Sequence, residues 1–375
     1  MEKSIKNKIK ILRISNETKS LQRSGQGKSI FELSESKFFN TTLFTPCIDK
    51  KIDSYIEIKN LNYFYFPNIV FPKSPNKTSR IFFSFRRIIA IMIASLNLIF
   101  NKKIYFNEIV HIHHIFYFLP ALILKIIGSK IIVTIHGSDI NKIQGSIVLR
   151  NLLKLFDRVL CVSHKQQKIL SNFISKKKLF YVGNGVNTDF YKPNKSYLER
   201  KKVILSVGNL RWQKNYNLLI EAFSIVHKSN KDWKLVICGE GPDRNEIQEL
   251  IKLKKLDRYV FLKGYLNQKD IKNWMQTSRI FVMSSRVEGF PKALLEAAAC
   301  GCACVSTNAG DCDYFLKDIG FIARNNKYDL ANKITKLINS SNLSKTNSLQ
   351  LINRAKSFTW KKYIDLHRNI YEKLL

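Results

Sequence analysis

Short apolar runs alternate with amphipathic stretches along most of the chain. In the first half the runs are KIKILRIS at 8–15, EIVHIHHI at 108–115, KIIVTIHG at 130–137, RVLCVS at 158–163 and KLFYVGNG at 178–185. In the second they are KVILSVGNL at 202–210, WKLVICGEG at 233–241, YVFLKGYL at 259–266, RIFVMSS at 279–285 and CACVST at 302–307. Most are continuously apolar, the pattern of strands in parallel sheets covered on both faces. Between them NLLIEAFSIVHKS at 217–229, RNEIQELIKLKKL at 244–256 and QKDIKNWMQTS at 268–278 carry a helical period. Strand–helix alternation over the whole length predicts a doubly wound α/β architecture. The polar stretch YKPNKSYLERKK at 191–202 contains Pro193 and precedes a fresh strand. It divides the chain into two Rossmann-like domains, 1–195 and 196–360. Residues 45–105 are the least legible, and there is no internal repeat.

A length of 375 residues leaves room for two or three domains, each with its own core. The charge changes the picture more. There are 63 basic residues against 28 acidic, a net +35 that attracts nucleic acid, anionic lipid or phosphorylated substrates. Seven cysteines without a disulfide-scaffold spacing favour a reducing cytosol. The N-terminus lacks the apolar core of a secretion signal. The longest apolar run, IIAIMIASLNLIF at 88–100, is too short to span a bilayer. Flanked by Arg86, Arg87, Lys102 and Lys103, it reads either as a segment lying on a membrane surface or as a buried helix. The basic residues around 73–105 are expected to hold the first domain on an anionic membrane.

Several motifs compete for the chemistry. RSGQGKS at 23–29 is similar to a phosphate-binding loop, but the required first glycine is Gln22 and no strand feeds it. CGEGPDRN at 238–245 lacks the third glycine of a dinucleotide fingerprint, and Pro242 opens the helix. His111 and His113 share a strand face without a carboxylate or Cys at ligand spacing, so strand-end histidines are favoured over a metal site. Cys300, Cys302 and Cys304 read as small buried thiols. Asp311 and Asp313 form a lone DxD, a weak metal–diphosphate signal. A basic nucleic-acid surface would interleave aromatics or carry a known module, and neither is present.

The stretch SSRVEGFPKALLEAAACG, 284–301, is different in kind. An apolar helix carries Glu296 inside it and Glu288 at its mouth. A carboxylate in such a place costs several kcal/mol unless something pairs with it. Pro291 suits the first helical position and Gly301 the stop. The amides of Gly289 and Phe290 then open toward a site for anions or sugar hydroxyls. Glu296 lies where it can accept two hydrogen bonds from a vicinal diol. The bland alternative is a solvated Lys292–Glu296 pair.

The spacing Glu288-Gly-Phe-Pro-x4-Glu296 resembles the E-x7-E motif of the retaining glycosyltransferases of family 4. The resemblance extends, in order, through VTIHGSD at 133–139, CVSHKQQKIL at 161–170, YVGNGVNTDFYKP at 181–193, LSVGNLRWQKNYNLLIEAF at 205–223, ICGEGPDR at 237–244, VFLKGY at 260–265 and the segment 299–311. It implies a GT-B fold, two Rossmann-like domains whose parallel sheets face a central cleft, with a final helix 361–375 crossing back to the first domain. It implies transfer of a sugar from a nucleotide-diphosphate sugar, UDP ahead of GDP, to a saccharide or lipid-linked acceptor, in bacterial surface polysaccharide or lipopolysaccharide synthesis. Cofactor and metal are expected to be absent, basic groups and a helix dipole neutralising the diphosphate. Lys214 matches the lysine on the diphosphate, Glu296 the residue on the ribose, Glu288 the one near the transferred sugar. Gly289 and Phe290 supply backbone donors, and His136 matches the histidine of the first domain. Gly25 and Gly27 match the glycine loop facing the donor more loosely. Where the family carries an arginine, this chain has Asn209; Arg211, two residues on, is expected to replace it. A cytoplasmic, peripheral membrane location follows. The competing class is a non-catalytic basic protein binding anionic membrane or nucleic acid.

Overall fold

The computed structural model describes residues 8–15, 25–47, 55–58, 61–67, 108–137 and 139–375. The run at 88–100 and the basic residues expected to touch a membrane at 73–105 lie outside them. The chain divides into two units. The first is Met1–Val162, Gln166–Val182 and Ile364–Leu375; the second is Ser163–Lys165 and Gly183–Tyr363. The chain therefore enters the second unit at Gly183, ahead of the boundary expected near 195. The segment read as a linker is already structure of that unit. Val186 bridges Thr359, Tyr191 is buried, and Arg200 bonds the carbonyl of Cys300 at 2.7 Å.

The first unit holds β1 (Ile9–Ile14), α1 (Gly25–Ser34), β2 (Phe39–Cys47), β3 (Tyr55–Ile58), β4 (Leu61–Pro67) and β5 (Ile109–Ile112). There follow α2 (Phe118–Ile126), β6 (Lys130–Ile135), α3 (Asp139–Gln144), α4 (Ile147–Lys154), β7 (Arg158–Cys161), α5 (His164–Leu170), which belongs to this unit from Gln166 onward, and β8 (Leu179–Tyr181). Its sheet runs β3-β4-β2-β1-β5-β6-β7-β8, parallel throughout except for the β3–β4 pair. The parallel interior agrees with the continuous apolar runs. In β6, Ile131 to Ile135 are buried without a break because both faces are covered.

The second unit holds β9 (Lys201–Val207), α6 (Tyr216–Ser229), β10 (Lys234–Cys238), α7 (Arg244–Leu253), β11 (Val260–Leu262), α8 (Gln268–Thr277) and β12 (Ser278–Met283). It continues with α9 (Lys292–Ala299), β13 (Ala303–Thr307), α10 (Cys312–Leu316), β14 (Phe321–Ala323), α11 (Lys327–Asn339) and α12 (Ser341–Ala355). Its six strands are all parallel, in the order β11-β10-β9-β12-β13-β14. The order reverses between β9 and β12. At such a switch point the loops leaving two adjacent strands diverge and open a crevice. The last helix, α13 (Trp360–Glu372), starts in this unit and belongs to the first from Ile364 onward.

Within the first unit α13 is tied to the sheet by a buried polar network. Arg13 on β1 lies in register with His111 on β5. Its guanidinium donates to Tyr371 Oη and to His111 Nδ1, each at 3.0 Å, and sits over the rings of Phe39 and Tyr371. Because Nδ1 accepts, the ring proton is on Nε2, 2.7 Å from Thr134 Oγ1. Burial, the neighbouring histidines and Arg13 hold both His111 and His113 well below the usual imidazole range. Both are thus neutral when folded, whereas the unfolded chain protonates them below about pH 6.5. Their contribution to stability is present above that value and is lost as pH falls below it. The unfolding midpoint of the full chain is expected to drop between about pH 7.5 and about pH 6, above most carboxylate titration. Asp139, whose carboxyl burial raises, acts in the opposite sense at lower pH. Calorimetry at the two pH values checks this; an unchanged midpoint contradicts it.

Candidate active site

The site of the second unit is built where β9 and β12 end. β9 stops at Val207, and Gly208 to Lys214 form a loop closed by a single 3-10 turn, Trp212–Lys214. Asn215 then takes a left-handed conformation, φ 52, which Asn tolerates better than most residues, and α6 begins. Tyr216 Oη donates to the carbonyl of Gly208 at 2.9 Å. Gly239 and Gly241 let the loop after β10 lie directly against the backbone of Gly208 and Leu210. A methyl group at Gly208 would stand 3.2 Å from Lys214 Cε, so the lysine stem runs across that glycine.

The loop after β12 is stitched to this one. Ser284 Oγ donates to the carbonyl of Lys214 at 2.9 Å, and Arg286 N–H to the carbonyl of Gln213 at 2.7 Å. These bonds hold the Lys214 ammonium 2.5 Å from Glu288 Oε1. Ser285 Oγ donates to the same oxygen at 2.7 Å. Both side chains are mostly shielded from water, Lys214 28% and Glu288 13% exposed. Charged hydrogen bonds in such surroundings are stronger than neutral ones.

Next to this pair lies the N-terminus of α9. Pro291 stands at the N-cap rather than at the first helical position, one residue earlier than its fixed φ suggested. Phe290 is buried against Phe358, ring centres 5.5 Å apart. The turn 288–290 rests on the next one. Gly310, at φ 54, leaves room for the carbonyls of Glu288 and Gly289, and Asp311 N–H bonds the Gly289 carbonyl. Gly301, at φ 84, ends α9 as its position implied. Arg200 lies against the helix C-terminus, where a cation is favoured.

The two carboxylates, costly in such a place unless paired, have partners within the protein. Glu288 is held by Lys214 and Ser285. Glu296, in the second turn of α9, is hydrogen-bonded by the buried hydroxyl of Tyr191, whose proton burial and this carboxylate hold on strongly. The Lys292 ammonium lies over the Trp360 ring, 4.6 Å from its centre.

Asp311 and Asp313 do not converge as a DxD. Asp311 is buried, and its oxygens accept from the His164 backbone N–H at 2.8 and 3.0 Å and from His164 Nδ1 at 2.9 Å. Asp313 is half-buried and lies 3.5 Å from Lys165 Nζ. Cys300, Cys302 and Cys304 are buried thiols, and burial pushes Cys302 up to about 12. No cluster suited to a metal occurs among the described residues.

Of the residues picked out in the sequence, the structure brings together Lys214, Glu288, Gly289 and Phe290, with Glu296 on the adjoining helix. Arg211 is exposed at the start of the 3-10 turn, and its charge is felt by Asp243. The remaining candidates belong to the first unit. His136 follows β6, and its backbone N–H is 3.3 Å from Asp139 Oδ2. Gly25 and Gly27 lie in the first turn of α1, not in the loop expected for them. His111 and His113 stack, ring centres 4.2 Å apart. Ser285 and Tyr191 are contributors that sequence reasoning missed. Ser285 stands three residues before Glu288, the one signal that could have found it.

The Glycosyl transferases group 1 family model matches residues 187–357, and the Glycosyltransferase Family 4 model matches residues 37–190. The two matches together run over most of the chain, and it belongs to this glycosyltransferase family. Among curated relatives, a phosphatidylinositol N-acetylglucosaminyltransferase component from Arabidopsis thaliana is 29% identical over 67% of this chain and 58% of its own length. An uncharacterized glycosyltransferase of Methanocaldococcus jannaschii is 27% identical over 73% of this chain and 78% of its own. N-acetyl-alpha-D-glucosaminyl L-malate synthase of Bacillus anthracis is 28% identical over 54% of this chain and 57% of its own. The chain thus spans less than two thirds of the Arabidopsis and Bacillus proteins. Among solved structures, sucrose-phosphate synthase of Thermosynechococcus elongatus superposes with a TM-score of 0.78 at 16% identity, covering 97% of this chain and 98% of that one. Anabaena HepE in complex with UDP and glucose gives 0.76 at 14% identity, covering 97% and 100%. These likenesses establish the GT-B fold.

Proposed function

We propose that the chain is a retaining glycosyltransferase. It moves a sugar from a nucleotide-diphosphate donor, UDP-linked ahead of GDP-linked, to a saccharide or lipid-linked acceptor. The setting is bacterial surface polysaccharide or lipopolysaccharide synthesis at the inner face of the cytoplasmic membrane. The observation that carries the reading is the Lys214–Glu288 pair held at the mouth of α9. Breaking a sugar–phosphate bond leaves negative charge on the diphosphate and oxocarbenium character on the sugar. The Lys214 ammonium and the positive end of α9 stabilise the first, and Glu288 stands by the second. Arg211 adds a second cation to the diphosphate when its exposed side chain turns inward. No metal takes part. The names of the Arabidopsis and Bacillus relatives make N-acetylglucosamine the first sugar to try.

Glu296, oriented by Tyr191, accepts from the ribose diol. Glu296→Ala is expected to weaken UDP binding by about 1–3 kcal/mol, the cost of unpaired polar partners. Isothermal titration reads this directly. Unchanged UDP affinity in the variant would remove the diol role.

A further inference from the structure

Asp311 of the second unit is wholly buried, and a carboxylate in such a place is costly unless it is well paired. His164 supplies most of the pairing. Its backbone N–H lies 2.8 Å from one oxygen and 3.0 Å from the other, and its Nδ1 lies 2.9 Å from Oδ2. The carboxylate only accepts, so Nδ1 carries the proton. Burial raises the Asp311 carboxyl, and the bonds from His164 and the Lys165 backbone oppose this. The His164 side chain is 38% exposed, and its ring lies against Tyr314, centres 4.0 Å apart. Ser163–Lys165 form part of the second unit, so the pair lies within it. Lys165 Nζ reaches the same turn and donates to Asn308.

The turn that carries Asp311 meets the Glu288 loop at three points. Thr307 Oγ1 donates to the carbonyl of Ser285 at 2.6 Å. Gly310 lies against the carbonyls of Glu288 and Gly289. Asp311 N–H bonds the Gly289 carbonyl at 3.2 Å. Glu288 thus stands between two residues, Ser285 and Gly289, that the 307–311 turn holds. Ser285 Oγ also fixes the carboxylate itself, at 2.7 Å. The turn is anchored in its own right by the Asp311 carboxylate on His164. Stability alone does not call for a charge there, since well-packed apolar residues hold a structure as firmly as a buried charged pair. What the charged contact adds is direction, and so one fixed position. Backbone bonds carry that position to Glu288, and a backbone cannot swing aside as a side chain can.

We propose that His164 and Asp311 are positioning residues for Glu288, the pair holding the 307–311 turn so that the Glu288 carboxylate stays against Lys214. This rests on the assignment of Glu288 to the transferred sugar. The test follows UDP release from UDP-N-acetylglucosamine and from UDP-glucose, with UDP affinity titrated on the same full chains. His164→Ala removes the Nδ1 donor, and His164→Asn puts an amide N–H near the same point. Asp311→Asn sets a donor against the His164 donors. Asp311 is buried and His164 is not, so His164→Ala decides where Asp311→Asn does not fold. The expected result is a kcat about tenfold lower in His164→Ala and Asp311→Asn, KM and UDP affinity within about twofold, and most of the loss recovered in His164→Asn. In a Glu288→Gln background the same changes should cost less than about twofold more, because they act through a group already altered. Asp313→Asn, at the neighbouring carboxylate, should leave kcat near the wild-type value. Equal fractional losses with and without Glu288→Gln would overturn the proposal, making the pair a support of the whole unit. Normal kcat in His164→Ala, beside a wild-type chain that releases UDP, would overturn it as well. A wild-type chain that neither binds UDP nor releases it from either donor would overturn the reading of the site itself, and the proposal with it.

Discussion

Lys214→Ala is expected to lower kcat/KM for the nucleotide-sugar donor by about a hundredfold to a thousandfold, the usual effect of losing one preorganised group that stabilises developing charge. The ammonium is fixed from both sides. Its backbone carbonyl receives Ser284, its stem crosses Gly208, and its head meets Glu288 at 2.5 Å. Alanine removes the cation and leaves a shielded carboxylate with one fewer partner, so part of the loss is a rearranged Glu288. Lys214→Arg should recover little, because a planar fork differs in reach and geometry from an ammonium that already fits between Gly208 and Glu288. Glu288→Gln, which keeps size and loses charge, should lower turnover more than donor affinity. Nucleotide release measured against donor concentration separates the two effects. Near-normal kcat/KM in Lys214→Ala would remove this lysine from the chemistry.

Gly310→Ala is expected to destabilise the second unit by about 3 kcal/mol, with two independent causes. A side chain at φ +54 costs about 1–3 kcal/mol, and the added carbon would stand 2.2 Å from the carbonyl oxygen of Gly289. That oxygen is backbone and cannot swing aside, so the turn 288–290 must move. For a unit of this size the midpoint should fall by about 6–12 °C. The same displacement carries Glu288 away from Lys214, so activity falls even at temperatures where the chain is folded. Differential scanning calorimetry with a donor assay on the same sample checks both. An unchanged midpoint would show that the 308–311 turn relaxes freely.

The parallel interior of both sheets was legible because strands covered on both faces must be apolar at every position. β9 and β12 read clearly for that reason. β2 did not, since FNTTLFTPC mixes Thr, Asn and Pro with its apolar residues. β14, FIA, stands between Gly320 and the polar run Arg324–Lys327, with no longer apolar run to mark it. Lys214 and Glu288 were legible because local motifs carry them. That they meet was not, being set by hydrogen bonds between loops 70 residues apart. Tyr191 was hidden by its polar neighbours, which read as a linker. Its link to Glu296 joins distant parts of the chain and leaves no periodic trace. Nothing in the pattern singled out Arg13 among the 63 basic residues, yet it is fully buried between Phe39 and Tyr371.

The central claim is that the Lys214–Glu288 pair at the mouth of α9 receives a nucleotide diphosphate. Calorimetric titration of UDP, and then GDP, into the full chain and into Lys214→Ala tests it most directly. The expected result is saturable binding of UDP by the wild-type chain, weaker binding of GDP, and a loss of UDP affinity of about tenfold or more in the variant, as for a removed charged hydrogen bond. Equal affinity in the two chains, or no binding of either nucleotide by the wild-type chain, would contradict the assignment.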